Sequence, residues 1–319
     1  MKIFVTGCAG FIGFHVCRKL LTEGYEVIGM DNMNKYYDVQ LKKNRLKELI
    51  KQPEFEFFEW DILNLKDIRN TPSIRNADTV IHLAAQAGVR HSLVHPQDYI
   101  DNNITGFLNI LTYCKDIGEK KLIYASSSSV YGDEFQPFSE WASCNTPLNI
   151  YAVSKKTNEL MSSAFHSLYG LKSTGLRFFT VYGPWGRPDM ALFKFTKNII
   201  EGQEIEVYNH GNMLRDFTYV DDIVEGIFNI MLKEPTQKIL NIGQGKPCHL
   251  LDFVREIESK LGMEAKIKLL PMQQGDIQST YCNTKNLEGF TGYRPSTTIK
   301  EGISKFIDWY LDYYCGEIK

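Results

Sequence analysis

The sequence predicts an α/β fold, a doubly wound parallel sheet followed by a smaller α/β C-terminal unit. Three observations predict it. Short β-rich runs alternate with helical patterns through the first half of the chain. Two of those runs, "TVIHLAA" and "KLIYAS", are almost continuously apolar, as strands covered on both faces are. Beyond about Arg177 the texture changes to a Gly/Pro-punctuated stretch, "VYGPWGRPDM", and then to short mixed elements without a repeat.

The elements follow in order. "KIFVTG" opens the chain as a strand and leads into a helix over 11–23, after which "EVIGMD" is the second strand. A polar helical segment spans 39–51, and "FEFFEWDI" is the third strand. "TVIHLAA", a helix over 104–115 and "KLIYASSSS" come next, before the helix that starts at "NIYAVSKKTNEL". The basic run Lys42, Lys43, Arg45, Lys47 and Lys51 reads as the solvated face of its helix. "DFTYVDDIVEGIFNIML" is expected to return and pack on the first domain. The resulting division is 1–177 plus about 216–243 for one domain, and 178–215 plus 244–319 for the other.

A chain of 319 residues has room for one large or two modest domains with a sizeable core. Hydrophobic residues make up 43%, charged residues 23%, and the net charge of -2 is interspersed, which argues against a nucleic-acid partner. The seven cysteines are scattered without a C-x-x-C pair, as expected of reduced thiols in a cytoplasmic protein. His91 and His95 have helical spacing, but Pro96 follows and no third ligand is apparent, so no metal is expected. The chain starts on a strand pattern where a leader would be charged and then apolar. No run approaches the roughly 20 apolar residues of a membrane span.

"VTGCAGFIG" places Gly7, Gly10 and Gly13 between a strand and a helix. Glycines there allow a tight turn, close approach of backbone to a pyrophosphate and close helix packing, with the helix N-terminus aimed at the anion. Asp31 ends the second strand eighteen residues after Gly13, where a carboxylate accepts hydrogen bonds from an adenosine ribose. Its charge repels a 2'-phosphate, which favours NAD over NADP and makes the sheet a Rossmann sheet. Asp61 in "WDI" is placed to meet the adenine edge, and "HLAA" puts small residues beneath the dinucleotide. Phe11, Ile12, Asn32, Ile62, Leu83, Ala84 and Ala85 complete the expected cofactor lining. His82 reads as a packed, hydrogen-bonded histidine.

The strand "KLIYASSSSVYG" delivers Ser126 to Ser129 to the carboxyl edge of the sheet, where such folds bind ligands. Twenty-four residues after Ser127 stands Tyr151, with Lys155 one helical turn further on the same face. An ammonium near a phenol favours its ionised form, as a general base requires. Tyr-x-x-x-Lys by itself is a common solvated pair. Together with the glycine turn and the serine row it resembles the extended short-chain dehydrogenases/reductases, and among them the nucleotide-sugar epimerases. That resemblance covers nearly the whole chain. It implies Tyr151 as the base, Lys155 binding the nicotinamide ribose and lowering the tyrosine pKa from about 10, and Ser127 on the reacting sugar oxygen.

Dehydratases and decarboxylases of that family carry an acidic residue just after the strand hydroxyl; here Ser128 and Ser129 occupy those places. The economical cycle is then oxidation of the sugar at C4 by NAD, turnover of the 4-keto sugar, and return of the hydride to its other face. "DNMNKYYDVQLKKNRL", "RFFTVYGPWGRPDMALFKF", "HLAAQAGVRHSL" and "RDFTYVDDIVEGI" look like the bacterial UDP-glucuronate 4-epimerases. By that resemblance Thr180 and Arg187, with Ser128 and Ser129, hold the C6 carboxylate. Val207 and Tyr208 border the uracil, Arg215 pairs with the diphosphate, and Asp276 accepts the uridine ribose hydroxyls. Gln273 stands where some relatives have an arginine, and Cys282 and Asn283 replace a usual Ala-Asp. The alternatives are a 4-epimerase of a UDP-hexose or UDP-N-acetylhexosamine or its uronic acid, a reductase that releases its cofactor each cycle, and a non-catalytic NAD-binding regulator. The resemblance also implies a homodimer through the Tyr151 helix and the one before it. Leu160, Met161, Ala164, Phe165 and Leu168 form a stripe suited to such an interface or to the core.

Overall fold

The computed structural model describes residues 1–118 and 121–316. Its central sheet begins with β1 (Lys2–Thr6), β2 (Glu26–Met30), β3 (Phe55–Phe58), β4 (Thr79–His82), β5 (Lys121–Ser127) and β6 (Ser173–Phe178). The chain then forms β7 (Thr180–Tyr182), β8 (Glu204–Val207), β9 (Leu214–Arg215) and β10 (Phe217–Tyr219) before β11 (Lys238–Ile242) rejoins that sheet. The order is β11-β6-β5-β4-β1-β2-β3, and every neighbouring pair is parallel. Helices between the strands make the crossovers, so both faces of the sheet are covered and the doubly wound α/β prediction holds. The chain runs outward from β1 to β3 and then jumps back to β4. The switch point between β1 and β4 opens a crevice at their carboxyl ends.

Three small sheets lie beyond it. β7 pairs with β10, while β12 (Cys248–His249), β9 and β14 (Ser279–Thr280) form one ribbon and β13 (Lys266–Leu269) pairs with β8. The helix Val220–Met231 packs on the helix Phe11–Thr22, where Lys19 and Glu225 meet at 3.0 Å, so this segment does return to the first helix as expected. The folding of 178–215 away from the sheet leaves Thr180 and Arg187 facing the same crevice as the β1 glycines.

Two local readings are corrected. Within the 39–51 stretch the helix Val39–Ile50 forms, but Lys42 and Arg45 are buried and do not belong to a solvated face. Arg45 Nη1 donates to Ala9 O at 2.9 Å and to the Tyr37 hydroxyl at 2.7 Å, and Nη2 reaches Trp185 O at 2.6 Å. Three aligned acceptors compensate the desolvated guanidinium, which is why a charge sits inside. The stretch before 104–115 also begins earlier than its pattern suggests. A π-helical turn, Ile100–Thr105, precedes the α-helix Gly106–Asp116.

That wide turn has a partner. Asn103 is buried in it, accepts from Gln86 N at 2.8 Å, and donates to Gln86 O at 3.0 Å and to Ser154 Oγ at 2.9 Å. Asn158 donates to Asn103 O at 2.6 Å. The helix Ile150–Tyr169 is therefore tied at Ser154 and, one turn on, at Asn158 to Asn103, and through the Asn103 amide to Gln86 in the loop after β4. Asn149 caps this helix by accepting from Ala152 N at 2.9 Å, and Gly170 ends it with φ 71°.

Candidate active site

A single cavity of about 1180 Å³ runs along the carboxyl edge of the sheet and into the region formed by 178–215 and 268–280. One end is the glycine turn. Gly7 has φ 74°, and a Cβ on it would lie 2.7 Å from Ala84 N. A Cβ on Gly13 would lie 2.0 Å from Gly7 O, so the helix Phe11–Thr22 can start against the turn only with glycine there. Gly7, Gly10, Phe11, Ile12, Gly13, Asp31, Asn32, Ile62, Leu83, Ala84 and Ala85 all line the cavity.

Asp31 is buried and accepts from Ala9 N at 3.2 Å and Met33 N at 2.9 Å. Burial raises its pKa, against the pull of Lys42 and those two N–H groups. Lys42, which pattern alone sent to solvent, lines this end and donates to Asn34 Oδ1 at 2.8 Å. Asp61 is differently placed: its carboxylate accepts from Asn32 Nδ2 and Leu63 N, both at 2.8 Å, while its neighbours Trp60 and Ile62 face the cavity. His82 is buried with Nδ1 2.7 Å from Thr6 Oγ1, and burial lowers its pKa to about 3, which makes it a neutral packing group.

In the middle of the cavity stand Ser127, Tyr151 and Lys155, with Ser128, Ser129, Thr180 and Arg187 around them. Ser127 ends β5 and caps the following 3-10 turn, Ser128–Tyr131, by accepting from Ser129 N at 3.1 Å. Its hydroxyl also meets the Tyr151 phenol. Lys155 is buried and donates to Ala125 O at 2.9 Å. The helix is therefore docked on the strand that carries the serine row.

The electrostatics of the protein alone bear on one expectation. Burial raises the Tyr151 pKa above its ordinary value, and the groups that draw it down are the Ser127 hydroxyl and the Arg187 guanidinium. Lys155 is not among them; burial instead lowers its own pKa to about 8. The phenol of the protein alone is thus neutral, and a further positive charge must enter the cavity before it ionises readily.

A buried ion pair underlies this arrangement. Arg177 on β6 donates from Nε and Nη2 to the two carboxylate oxygens of Glu159, both at 2.8 Å, and Ser126 donates to Glu159 Oε1 at 2.7 Å. The side chains of Arg177 and Glu159 are 2% and 5% exposed. The pair joins β5, β6 and the Tyr151 helix directly beneath the serines.

At the far end Tyr208, Arg215 and Asp276 line the cavity. Arg215 and Asp276 stand 3.9 Å apart, and Arg90 lies 4.8 Å over the Tyr208 ring. Val207 is buried in the core and does not face the cavity, whereas Met213, Phe217 and Leu250 do. Cys282 is buried, and its N–H donates to Asp216 at 3.1 Å; Asp216 also accepts from Gln244 N and Gly245 N, so it organises backbone and not ligand. Among the described residues no three His, Cys, Asp or Glu side chains cluster as a metal site, and no helix is long and apolar enough to cross a membrane.

Arg187 is engaged by Asp189, two residues on: Nε to Oδ1 at 3.0 Å and Nη2 to Oδ2 at 2.5 Å. Tyr36 donates to the same carboxylate at 3.2 Å. Sequence reasoning quoted both stretches yet singled out neither Tyr36 nor Asp189. The signal available was a Tyr-Tyr pair and an Arg-Pro-Asp turn, neither of which has a fixed chemical meaning in isolation.

A glycine turn at a Rossmann switch point, a Ser, Tyr and Lys set at its centre and a second, polar ligand end define a dinucleotide-dependent enzyme of the short-chain dehydrogenase/reductase class. The comparisons narrow this. Residues 3–243 match the model of the NAD dependent epimerase/dehydratase family. The chain is 49% identical to Protein CapI of Staphylococcus aureus, over 98% of this chain and 99% of that one. It is 41% identical to a probable UDP-glucuronate 4-epimerase of Rhizobium meliloti (strain 1021), over 98% of each. Among solved structures it resembles UDP-glucuronic acid 4-epimerase from Bacillus cereus in complex with UDP-glucuronic acid and NAD, with a TM-score of 0.93 and 33% identity over 98% of this chain and 100% of that one. The protein belongs to the NAD dependent epimerase/dehydratase family.

Proposed function

We propose that the protein is an NAD-dependent 4-epimerase that converts UDP-glucuronate to UDP-galacturonate through a transient 4-keto sugar. One observation carries this reading. A continuous cavity joins the glycine turn and Asp31 to Arg215 and Asp276, with Ser127, Tyr151 and Lys155 at the junction. NAD, when bound, supplies the reversible oxidation of sugar C4 and a positive ring beside the phenol.

The chain's own residues do the rest. Gly7, Gly10 and Gly13 bring backbone up to the pyrophosphate, and Asp31 accepts the adenosine ribose hydroxyls. Lys155 holds the nicotinamide ribose. Tyr151 takes the proton of the sugar 4-hydroxyl and later returns it, and Ser127 steadies the same oxygen. Positions 128 and 129 carry no acid or base for elimination. Arg187, Thr180, Ser128 and Ser129 receive the C6 carboxylate, for which a guanidinium fork is the matching donor. Tyr208 borders the uracil, Arg215 the diphosphate, and Asp276 the uridine ribose. The proposed division is the Rossmann part, 1–177 plus about 216–243, for the cofactor and the remainder for the nucleotide sugar.

The test uses the protein as purified, incubated with UDP-glucuronate and no added cofactor. UDP-galacturonate is the expected product. Turnover of a UDP-hexose or UDP-N-acetylhexosamine alone, or a need for stoichiometric cofactor, would overturn the substrate or the cycle. Arg187→Ala is expected to lower kcat/KM for UDP-glucuronate about 10- to 100-fold, the worth of a charge-assisted pair, measured by separating the two UDP-uronates over time.

The same reading includes a homodimer in the cytoplasm. Leu160 and Leu168 are 60% and 70% exposed on the helix Ile150–Tyr169, beside exposed Leu108 on Gly106–Asp116. Covering this apolar face needs a second pair of helices. Leu160→Glu is expected to convert the dimer to a monomer in sedimentation equilibrium; a native monomer would refute it.

A further inference from the structure

Arg187 is not an idle cation awaiting a ligand. Asp189 already holds its Nε and Nη2 donors, at 3.0 and 2.5 Å. The spacing makes this local: Pro188 lies between the two, and Met190 N donates to Arg187 O at 3.1 Å, closing a turn that brings the carboxylate back onto the guanidinium. Tyr36, from the loop after β2, reaches across to donate to Asp189 at 3.2 Å, and the guanidinium lies 5.7 Å from the centre of its ring. Tyr36 is in turn wedged against Gly88, where a Cβ would lie 2.4 Å from its hydroxyl, and edge-on to His91 at 4.9 Å. All three side chains of the Arg187, Asp189 and Tyr36 set line the cavity.

A guanidinium is planar, with five donors in a fixed fork. Taking the Nε and Nη2 edge fixes the plane and leaves the Nη1 side outside the pair with Asp189, with the Tyr36 hydroxyl as a further hydrogen-bonding neighbour of the guanidinium. We infer that Asp189 is a positioning residue for the C6 carboxylate: it aims the Nη1 side of Arg187 at that group, and Tyr36 locks Asp189 from the cofactor loop. This rests on the UDP-glucuronate reading above.

The positioning has a chemical consequence. In the 4-keto intermediate the carboxylate is β to the carbonyl. If it turns perpendicular to that carbonyl, the C5–C6 bond breaks, carbon dioxide leaves, the electron pair passes to the C4 carbonyl oxygen as an enolate, and C5 then takes a proton. An aimed guanidinium holds the carboxylate in plane and suppresses this loss. Neutralising Asp189 keeps one acceptor oxygen but replaces the other with an amide donor facing Nη2, so the plane is released while the cation stays.

The experiment measures UDP-galacturonate formation and carbon dioxide release from UDP-glucuronate for the native enzyme, Asp189→Asn, Tyr36→Phe, Arg187→Ala and Arg187→Ala/Asp189→Asn, with bound cofactor quantified in each. Asp189→Asn is expected to raise carbon dioxide released per epimerisation at least tenfold, lower kcat about tenfold and leave KM within threefold. Tyr36→Phe shifts the same ratio less. In the Arg187→Ala background the Asp189 change alters neither quantity more than twofold, because Asp189 acts through Arg187. Multiplying losses in the double variant, or a clean product at normal rate from Asp189→Asn, would overturn the assignment. No turnover of UDP-glucuronate by the native enzyme would instead overturn the substrate reading and this inference with it, and the two failures are distinct.

Discussion

Tyr151→Phe lowers kcat about a thousandfold, within the range of a lost general base, while UDP-glucuronate affinity and bound cofactor change less than threefold. The expectation follows from position. Tyr151 meets the Ser127 hydroxyl, and it packs edge-on to Tyr99 at 6.0 Å, a contact that phenylalanine keeps. The fold is therefore undisturbed and only the proton acceptor is gone. Steady-state rates on UDP-glucuronate, with a direct binding measurement alongside, check this. Epimerisation at the native rate would show that another group takes the proton.

Glu159→Ala destabilises the protein by about 3–5 kcal/mol, because it leaves a guanidinium buried without its counter-charge. Arg177 and Glu159 are both buried, and the Tyr131 ring lies 4.6 Å from the guanidinium. Burial pushes the Glu159 carboxyl up, but the hydrogen bonds and charge of Arg177, with the Ser126 hydroxyl, hold it below its ordinary 4.5. A depressed carboxyl contributes stability that is present above its unfolded value and is lost as pH falls through its folded value. Urea titrations at pH 7 and below 4.5 should thus show the gap between native and variant narrowing in acid. Replacing both partners with apolar residues, as Glu159→Leu/Arg177→Met, should recover much of the loss. A variant as stable as the native protein at neutral pH would refute the role.

These two residues differ in how visible they were. Gly7, Gly10, Gly13 and Asp31 are legible because their chemistry is set by spacing within one strand-turn-helix unit, and the structure puts all four on the cavity. Ser127, Tyr151 and Lys155 are legible because a strand end and a helix start carry them to the same edge. Glu159 and Arg177 are legible only as helix and strand residues, since nothing in either segment says that they face each other across eighteen residues of chain. Arg45 is hidden more deeply: a basic run in a polar helix looks solvated until Trp185 O, 140 residues away, is found to accept from it. The expected pull of Lys155 on the phenol is not visible in the protein alone, for another reason. Spacing places two side chains on one helix face, but burial moves both, raising the phenol and lowering the amine. Val207 and Tyr208 show the alternation of a strand end: one side chain turns into the core and its neighbour into the cavity.

The wide helical turn at Ile100–Thr105 sets a constraint on length. A residue inserted or deleted there swings every later side chain of that helix about 100° around its axis. Asn103 would then point away from Ser154, and the loop after β4 would lose its tie to the neighbouring helix. The count of residues in this stretch, together with the Asn103 amide, keeps the two halves of the crevice in phase.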